Sequence, residues 1–152
     1  MGSRERVVDY LTRSGVKYEL REFDESTKNS ALAALALGCT VAEIAKSVVF
    51  AGRKTAIVVI SGDRRVDSRG LESAVGEQLR MATPDEVRLR TGFPIGGVPP
   101  FPHGPELDVL PDASLTRFGQ VWAAAGTPNA VFRIAPADLL RLVGRGPYQL
   151  SE

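Results

Sequence analysis

The stretch "TVAEIAKSVVFAGRKTAIVVIS" (residues 40–61) decides the fold, because it holds a helix start, two strands and the turn between them. Thr40 and Glu43 have the spacing of a capping box, which predicts a short helix. "SVVF" and "TAIVVIS" are rich in β-branched residues and flank the turn "AGRK", so they predict an antiparallel pair of strands. Lys46 lies at the predicted joint between helix and strand, with apolar residues on both sides.

The whole chain has the composition of one globular domain over residues 1–152. Hydrophobic residues make up 43% and charged residues 24% of its 152 residues, which is ordinary for a folded domain. No run approaches the roughly 20 apolar residues of a membrane span. The start "MGSRERVVDY" predicts an amphipathic helix rather than a signal peptide. We therefore expect a cytoplasmic protein that does not contact membranes.

Single cysteine and histidine residues exclude several kinds of site. One cysteine, Cys39, cannot build a disulfide framework, and we expect a small buried hydrophobe in preference to a nucleophile. One histidine, His103, excludes zinc sites made of several His and Cys ligands. A Ser/His/Asp triad would have to use His103. We expect neither a metal nor a cofactor.

The other segments predict alternating helices and strands. Predicted helices cover residues 3–14, 30–38, 68–75, 112–118 and 136–143, with another starting after Thr83, and further strands cover 16–23, 78–82, 107–110, 120–125 and 130–134. Tight turns between strands imply antiparallel pairs, and helices between strands imply crossovers. The sequence thus predicts an α/β fold with a mixed, strongly curled sheet and helices packed on it.

Lys46 allows two interpretations. A lysine at the start of a buried strand can extend its stem so that the ammonium reaches water. Alternatively, the ammonium lies at the mouth of a pocket, where it would bind a carbonyl, carboxylate or phosphate oxygen and stabilise developing negative charge.

The segment "TGFPIGGVPPFPHGP" (91–105) has four glycines and five prolines. Such a run cannot form a regular helix or a central strand. It is either a rigid surface connection or a loop whose backbone N–H groups face a ligand. His103 within it is either an exposed loop residue or a general base.

Two further segments have a structural and a functional interpretation. "AAAGTPNAVF" (123–132) is a hairpin, and its turn is either only a turn or one wall of a pocket. "GRK" (52–54) and "GDRRVDSRG" (62–70) are either exposed turn charge or a basic patch made of Arg53, Arg64, Arg65 and Arg69. The net charge of only +1 predicts weak, salt-sensitive binding if that patch contacts phosphates.

Four segments, taken in order, resemble the YbaK family, which is also the editing domain inserted in bacterial prolyl-tRNA synthetases. They are "VAEIAKSVVF", "TAIVVISGDRRVD", "ATPDEVRLRTGFPIGGVPPF" and "VWAAAGTPNAVFRIAPADLLRL", and the similarity spans roughly residues 28–143. The resemblance implies a mixed, largely antiparallel, barrel-like sheet flanked by helices. It implies hydrolysis of the ester bond of mischarged aminoacyl-tRNA in trans, without a metal or a protein nucleophile.

The resemblance also implies which residues form the site. The family lysine corresponds to Lys46, and the other implied substrate-binding positions are Gly96, Gly97, Val98, Pro99, Phe101, Gly126, Thr127, Pro128 and Asn129. Some members have an acidic residue where this chain has Val131, and the "PH" that includes His103 is not a family feature. A mechanism that needs that carboxylate is therefore in doubt here.

Three functions remain as alternatives. The first is a trans-editing deacylase for a small amino acid such as Ala, Ser or Cys, with tRNA(Pro) among the tRNAs. The second is a module that binds an aminoacyl group, nucleotide or tRNA without hydrolysis, which the valine at 131 favours and which Lys46 and the glycine loop oppose. The third is a domain that docks on an aminoacyl-tRNA synthetase.

Overall fold

The computed structural model describes residues 1–26 and 29–152. The helices are α1 (Ser3–Ser14), α2 (Ser30–Leu37), α3 (Ser68–Val75), α4 (Pro84–Thr91) and α5 (Pro136–Val143). The strands are β1 (Glu19–Glu22), β2 (Ile44–Ala51), β3 (Thr55–Ser61), β4 (Arg80–Met81), β5 (Leu107–Pro111), β6 (Val121–Ala124) and β7 (Ala130–Ile134). Two short 3-10 helices, Val41–Glu43 and Ala113–Arg117, lie within segments predicted as short helices.

Local capping signals place the helix starts. The Thr83 hydroxyl accepts a hydrogen bond from the Glu86 N–H at 3.2 Å, and the Glu86 carboxylate accepts one from the Thr83 N–H at 3.0 Å. Asp67 caps α3 by accepting from the Gly70 N–H. These contacts satisfy N–H groups that a helix leaves unpaired at its first turn, so the sequence spacing alone predicts them.

Strand β2 begins earlier than the sequence predicts. The capping box of Thr40 and Glu43 closes only one 3-10 turn, and the strand starts at Ile44. The Ile44 carbonyl accepts a hydrogen bond from the Gly62 N–H at 2.8 Å, just past the end of β3, which draws Ile44 into the sheet. Lys46 is therefore the third residue of a strand and does not lie at a helix–strand joint.

The sheet is mixed and open. Its order is β1-β7-β6-β2-β3-β5, with the short β4 also paired to β2. The pairs β2–β6 and β3–β5 are parallel, and the other pairs are antiparallel. The prediction of a barrel-like, strongly curled sheet was wrong, because β1 and β5 stay at opposite edges. Helices cover the two faces of the sheet, so its apolar surface is buried without closure.

Two layers of helices bury the sheet. On one face, Val7 and Leu11 of α1 and Leu139 of α5 pack into the largest apolar cluster. On the other face, Leu71 of α3 packs over the β2–β3 pair, and α2 packs over Trp122 at the neighbouring end. Among the described helices, none is both long and apolar enough to cross a membrane.

Candidate active site

A cleft opens where the sheet splits beside β2. Strand β3 pairs with β2 along the whole of residues 45–51. On the other edge, β6 pairs only at Ile44 and Ala45, and β4 pairs only at Phe50 and Ala51. Among the described strands, the middle of β2 therefore has a neighbour on one edge alone. A cleft of about 560 Å³ occupies the vacant edge, between the ends of β6 and β4.

The walls of the cleft come from both faces of the sheet. Because the opening lies at a strand edge, side chains from both faces of β2 can border it. The start of α2 forms one side, and the glycine–proline loop with Val87 of α4 forms the other. Small residues such as Ala82, Ala123 and Ala124 line the cleft and leave the space that larger side chains would fill.

Lys46 is the only ionisable side chain that the described part of the chain places in the cleft wall. Partial burial lowers the pKa of its ammonium; the nearby Asp63 carboxylate opposes this, and the Arg65 guanidinium adds to it. Asp63 is itself engaged with Arg117 at 2.8 Å and Arg64 at 3.7 Å. Lys46 forms no ion pair with any described residue, so its ammonium is available to a ligand oxygen.

Only part of the glycine–proline loop reaches the cleft. Gly96 and Val98, two of the positions that the family resemblance implies, line it. Pro99 instead offers its carbonyl to the imidazole of His103. Phe101 is buried, with its ring centroid 5.2 Å from that of Tyr10. Gly96 and Val98 are thus placed for ligand contact, whereas Pro99 and Phe101 anchor the loop.

The remaining loop glycine, Gly97, packs against the turn between β6 and β7. A Cβ atom at Gly97 would lie 2.8 Å from the Thr127 Cα and 2.9 Å from the Gly126 carbonyl oxygen. Only a residue without a side chain permits this approach. The contact fixes the distance between the loop and the turn.

The turn residues mainly bind each other and the chain near β1. The Thr127 hydroxyl donates to the Asn129 side-chain oxygen at 2.9 Å, and the Asn129 amide donates to the Phe23 carbonyl at 3.1 Å. Gly126 has a φ of 97° and lies against the Ser3 carbonyl. None of residues 126–129 is among the described lining of the cleft. The structure therefore places Gly126, Thr127, Pro128 and Asn129 behind the cleft wall.

His103 lies away from the cleft. Its Nε2 is 2.7 Å from the Pro99 carbonyl oxygen, and its ring meets Phe93 edge-on at 5.6 Å. It borders a separate pocket of about 220 Å³. Burial lowers the pKa of the imidazole, and the Arg6 guanidinium adds to this effect, against the opposing Pro99 carbonyl and Glu106. The imidazole is not placed to act on a ligand in the cleft.

The four candidate arginines do not form one patch. Strand β3 has seven residues, about 20 Å at about 3.3 Å per residue. Arg53 precedes β3, whereas Arg64, Arg65 and Arg69 follow it. The latter group lies at the end of β3 that carries Ile60, the register partner of Lys46.

Sequence reasoning missed several features of the cleft. Ser47 lines it beside Lys46, and the Ser47 hydroxyl is buried without a hydrogen-bond partner among the described residues. Trp122 also lines the cleft, and the guanidinium groups of Arg21 and Arg133 lie 5.5 and 5.6 Å from its ring. The vacant strand edge depends on pairing between distant segments, so no local signal could have revealed it.

Two observations bear on the chemistry that the cleft can perform. Val131, where the resemblance implies an acidic residue in some family members, lines the cleft. Among the described residues, no three His, Cys, Asp or Glu side chains are grouped as a metal site would require. The described wall thus offers one ammonium, backbone groups and small polar side chains.

A profile of the aminoacyl-tRNA editing domain matches residues 24–142. The chain belongs to the aminoacyl-tRNA editing domain family. It is 32% identical over 139 residues to the uncharacterized protein YwhH of Bacillus subtilis (strain 168), covering 90% of this chain and 88% of YwhH. It is 24% identical over 147 residues to the multifunctional Ser/Thr-tRNA deacylase ProXp-y of Escherichia coli (strain K12), covering 92% and 87% of the two chains.

A solved structure extends the comparison to the whole fold. This editing domain is similar to a candidate trans-editing enzyme for prolyl-tRNA synthetase, with 41% identity and a TM-score of 0.89. The match covers 100% of this chain and 98% of that one. The expectation of a YbaK-type editing domain is confirmed, and the function predicted from the sequence agrees with these relatives.

Proposed function

We propose that this editing domain hydrolyses the ester bond of mischarged aminoacyl-tRNA in trans. The observation that carries the proposal is the single ammonium of Lys46 in a cleft that is otherwise uncharged over its described wall. An ammonium in such surroundings stabilises negative charge more strongly than it would in water. Charge of this kind develops on the ester carbonyl oxygen when a nucleophile attacks.

The proposed nucleophile is water. The described wall holds no cysteine, histidine or carboxylate that could form a covalent intermediate or act as a general base. Catalysis would then come from holding the ester and the water in place and from stabilising the oxyanion. The proton that the leaving ribose oxygen needs would come from water or from the substrate's own hydroxyl groups.

The cleft supports a small amino acid such as Ala, Ser or Cys. Its volume of about 560 Å³ must hold the aminoacyl group and part of the terminal nucleotide. Met81 and Ile95 line the same cleft and remain 67% and 56% exposed, which suits contact with a flat, partly apolar base at the rim. The name of the ProXp-y relative supports hydroxylated amino acids such as Ser.

We include tRNA(Pro) among the substrates and a synthetase among the partners. The solved relative described for prolyl-tRNA synthetase supports both. The guanidinium groups of Arg64, Arg65 and Arg69 are the proposed contacts for tRNA phosphates, with Arg53 as a more distant one. Gly126, Thr127, Pro128 and Asn129 would support the cleft wall rather than bind substrate through their side chains.

A non-catalytic binding module is the second candidate, and Val131 is the observation that favours it. If catalysis in this fold needs a carboxylate at that position, the present cleft would bind an aminoacyl group without cleaving its ester bond.

Turnover separates the two functions. The test uses Ala-, Ser-, Cys- and Thr-tRNA, including mischarged tRNA(Pro), with protein at about one hundredth of the substrate concentration. Release of many equivalents of one amino acid supports the deacylase, and none from any substrate contradicts it.

A further inference from the structure

The backbone of Ser47 faces the cleft at the vacant edge of β2. The peptide groups of a strand point alternately to its two edges. The Ile44 carbonyl accepts from Gly62 on the β3 side, and the Val49 carbonyl accepts from the Ala82 N–H on the β4 side. Ser47 is three residues from Ile44, so its N–H and C=O point to the edge opposite that of the Ile44 groups. It is two residues from Val49, so they point to the same edge as the Val49 groups, away from β3.

No strand in the described part of the chain pairs with Ser47 on that edge. The pairing of β6 with β2 ends at Ala45, and the pairing of β4 begins at Phe50. Ala124 at the end of β6 and Ala82 after β4 both line the cleft, so the cleft occupies the position of the missing neighbour. Within the described residues, the sheet thus lacks one hydrogen-bonded position, opposite Ser47.

The Ser47 side chain adds a third unsatisfied group. Its hydroxyl is buried and has no hydrogen-bond partner among the described residues. A buried polar group without a partner lowers stability. The hydroxyl lies on the opposite face of β2 from the Lys46 side chain, because adjacent side chains alternate. A ligand at the strand edge would therefore lie between the ammonium and the hydroxyl.

We infer that the aminoacyl group of the substrate fills this missing position and pairs with Ser47 like one residue of a β-strand. This inference rests on the proposed function and names how that site recognises its substrate. An α-aminoacyl ester carries an amino group and a carbonyl with the spacing of one residue's own backbone groups. Its amino group donates to the Ser47 carbonyl, and its carbonyl oxygen accepts from the Ser47 N–H.

This arrangement also defines the substrate class and the role of the hydroxyl. Strand pairing supplies main-chain hydrogen bonds whatever the side chain is, as in other cases of strand addition. The ester carbonyl is held within reach of Lys46 from one face, and a change of rotamer turns the Ser47 hydroxyl to the ligand from the other. The site requires a free α-amino group, so esters without one are poor ligands.

The test compares two non-hydrolysable analogues of the tRNA end. One is 3′-(L-alanylamino)-3′-deoxyadenosine, and the other is the 3′-propionylamino compound, which lacks only the α-amino group. Calorimetric titration of the wild-type protein should give at least tenfold weaker binding for the propionyl compound. Equal binding of the two analogues would overturn the inference.

Ser61 supplies a matched control for Ser47. Its hydroxyl is also buried without a described partner, and Ser61 lies opposite Ala45 on β3, outside the described lining of the cleft. Ser47→Ala should lower kcat/KM and alanyl-analogue affinity about tenfold without lowering Tm, and Ser47→Thr should restore most of both. Ser61→Ala should change neither. Because Ser47→Ala keeps the backbone N–H and C=O, equal behaviour of Ser47→Ala and Ser61→Ala would overturn the role given to the hydroxyl, whereas the two analogues test the backbone pairing.

The two readouts separate this inference from the proposed function. If wild-type protein hydrolyses no aminoacyl-tRNA but binds the alanyl analogue more tightly than the propionyl analogue, the deacylase proposal fails and the pairing is supported. If the wild-type protein hydrolyses aminoacyl-tRNA but binds the alanyl and propionyl analogues equally, the pairing is wrong and the deacylase proposal is supported.

Discussion

Gly97 and Thr127 are in backbone contact, although they belong to separate loops. A Cβ atom on Gly97 would come within 2.8 Å of the Thr127 Cα. Because Gly96 and Val98 line the cleft on either side of Gly97, this contact sets how closely the glycine–proline loop approaches β2.

Gly97→Ala should therefore reduce activity by pushing the loop away from the turn. We expect kcat/KM to fall about tenfold or more and Tm to fall, since the added methyl group meets backbone atoms that cannot move alone. Gly119→Ala is the control, because a Cβ there would meet no atom of a described residue within 4 Å. Thermal unfolding and deacylation assays measure both effects, and a Gly97→Ala protein with wild-type kinetics would show that the contact does not shape the cleft.

The kcat/KM for deacylation should fall at alkaline pH. Burial lowers the Lys46 pKa, and the proposed mechanism needs the charged form, so activity is full below that pKa and falls as the pH rises through it. The fall should begin below the ordinary lysine pKa of about 10.4. Rates must be corrected for spontaneous ester hydrolysis measured without protein. A corrected kcat/KM that rises steadily up to pH 10 would argue against a catalytic ammonium.

His103 should affect stability in acid rather than catalysis. Its pKa is lowered in the folded state because the imidazole is buried. The contribution of the neutral imidazole to folding stability is then fully present above the unfolded-state pKa of about 6.5. It is lost as the pH falls toward the lower pKa of the folded state. His103→Gln should flatten this acid loss and leave kcat near pH 7.5 within about twofold. The chain has one histidine, so proton NMR can follow its titration directly. A titration midpoint at or above 6.5 would contradict the lowered pKa of His103.

Arginines at the two ends of β3 should differ in their effect on tRNA. Arg65 lies close enough to Lys46 to lower its pKa, whereas Arg53 lies at the far end of the strand. Arg65→Ala should raise KM for aminoacyl-tRNA several-fold and weaken its dependence on salt. Arg53→Ala should have a smaller effect. Kinetics between 50 and 200 mM salt measure both effects. Equal effects of the two variants would contradict tRNA binding at the Arg65 end of β3.

Local features of the fold could be predicted from sequence, and the cleft could not. The capping pairs Thr40–Glu43 and Thr83–Glu86 depend on residues three apart, so their spacing is sufficient evidence. The start of β2 was misplaced because Ile44 and Ala45 suit a helix as well as a strand, and a bond from Gly62 decides between them.

The site residues that the resemblance implies fall into two groups, those that line the cleft and those that bond elsewhere. Lys46, Gly96 and Val98 were placed in the cleft wall by resemblance, and the structure brings them together. Thr127 and Asn129 are polar and conspicuous in the sequence, yet their side chains bond to each other and to the chain at Phe23. Those partners are set by tertiary contacts, as is the vacant edge beside Ser47.

Deacylation by wild type and Lys46→Ala, on the best substrate of the aminoacyl-tRNA panel, tests the central claim most directly. Loss of the ammonium should lower kcat about 100-fold or more without lowering Tm, because a partly buried charge with no ion pair to a described residue contributes little to stability. Lys54→Ala, on the exposed turn before β3, should keep wild-type activity. Turnover by Lys46→Ala at the wild-type rate would contradict the account.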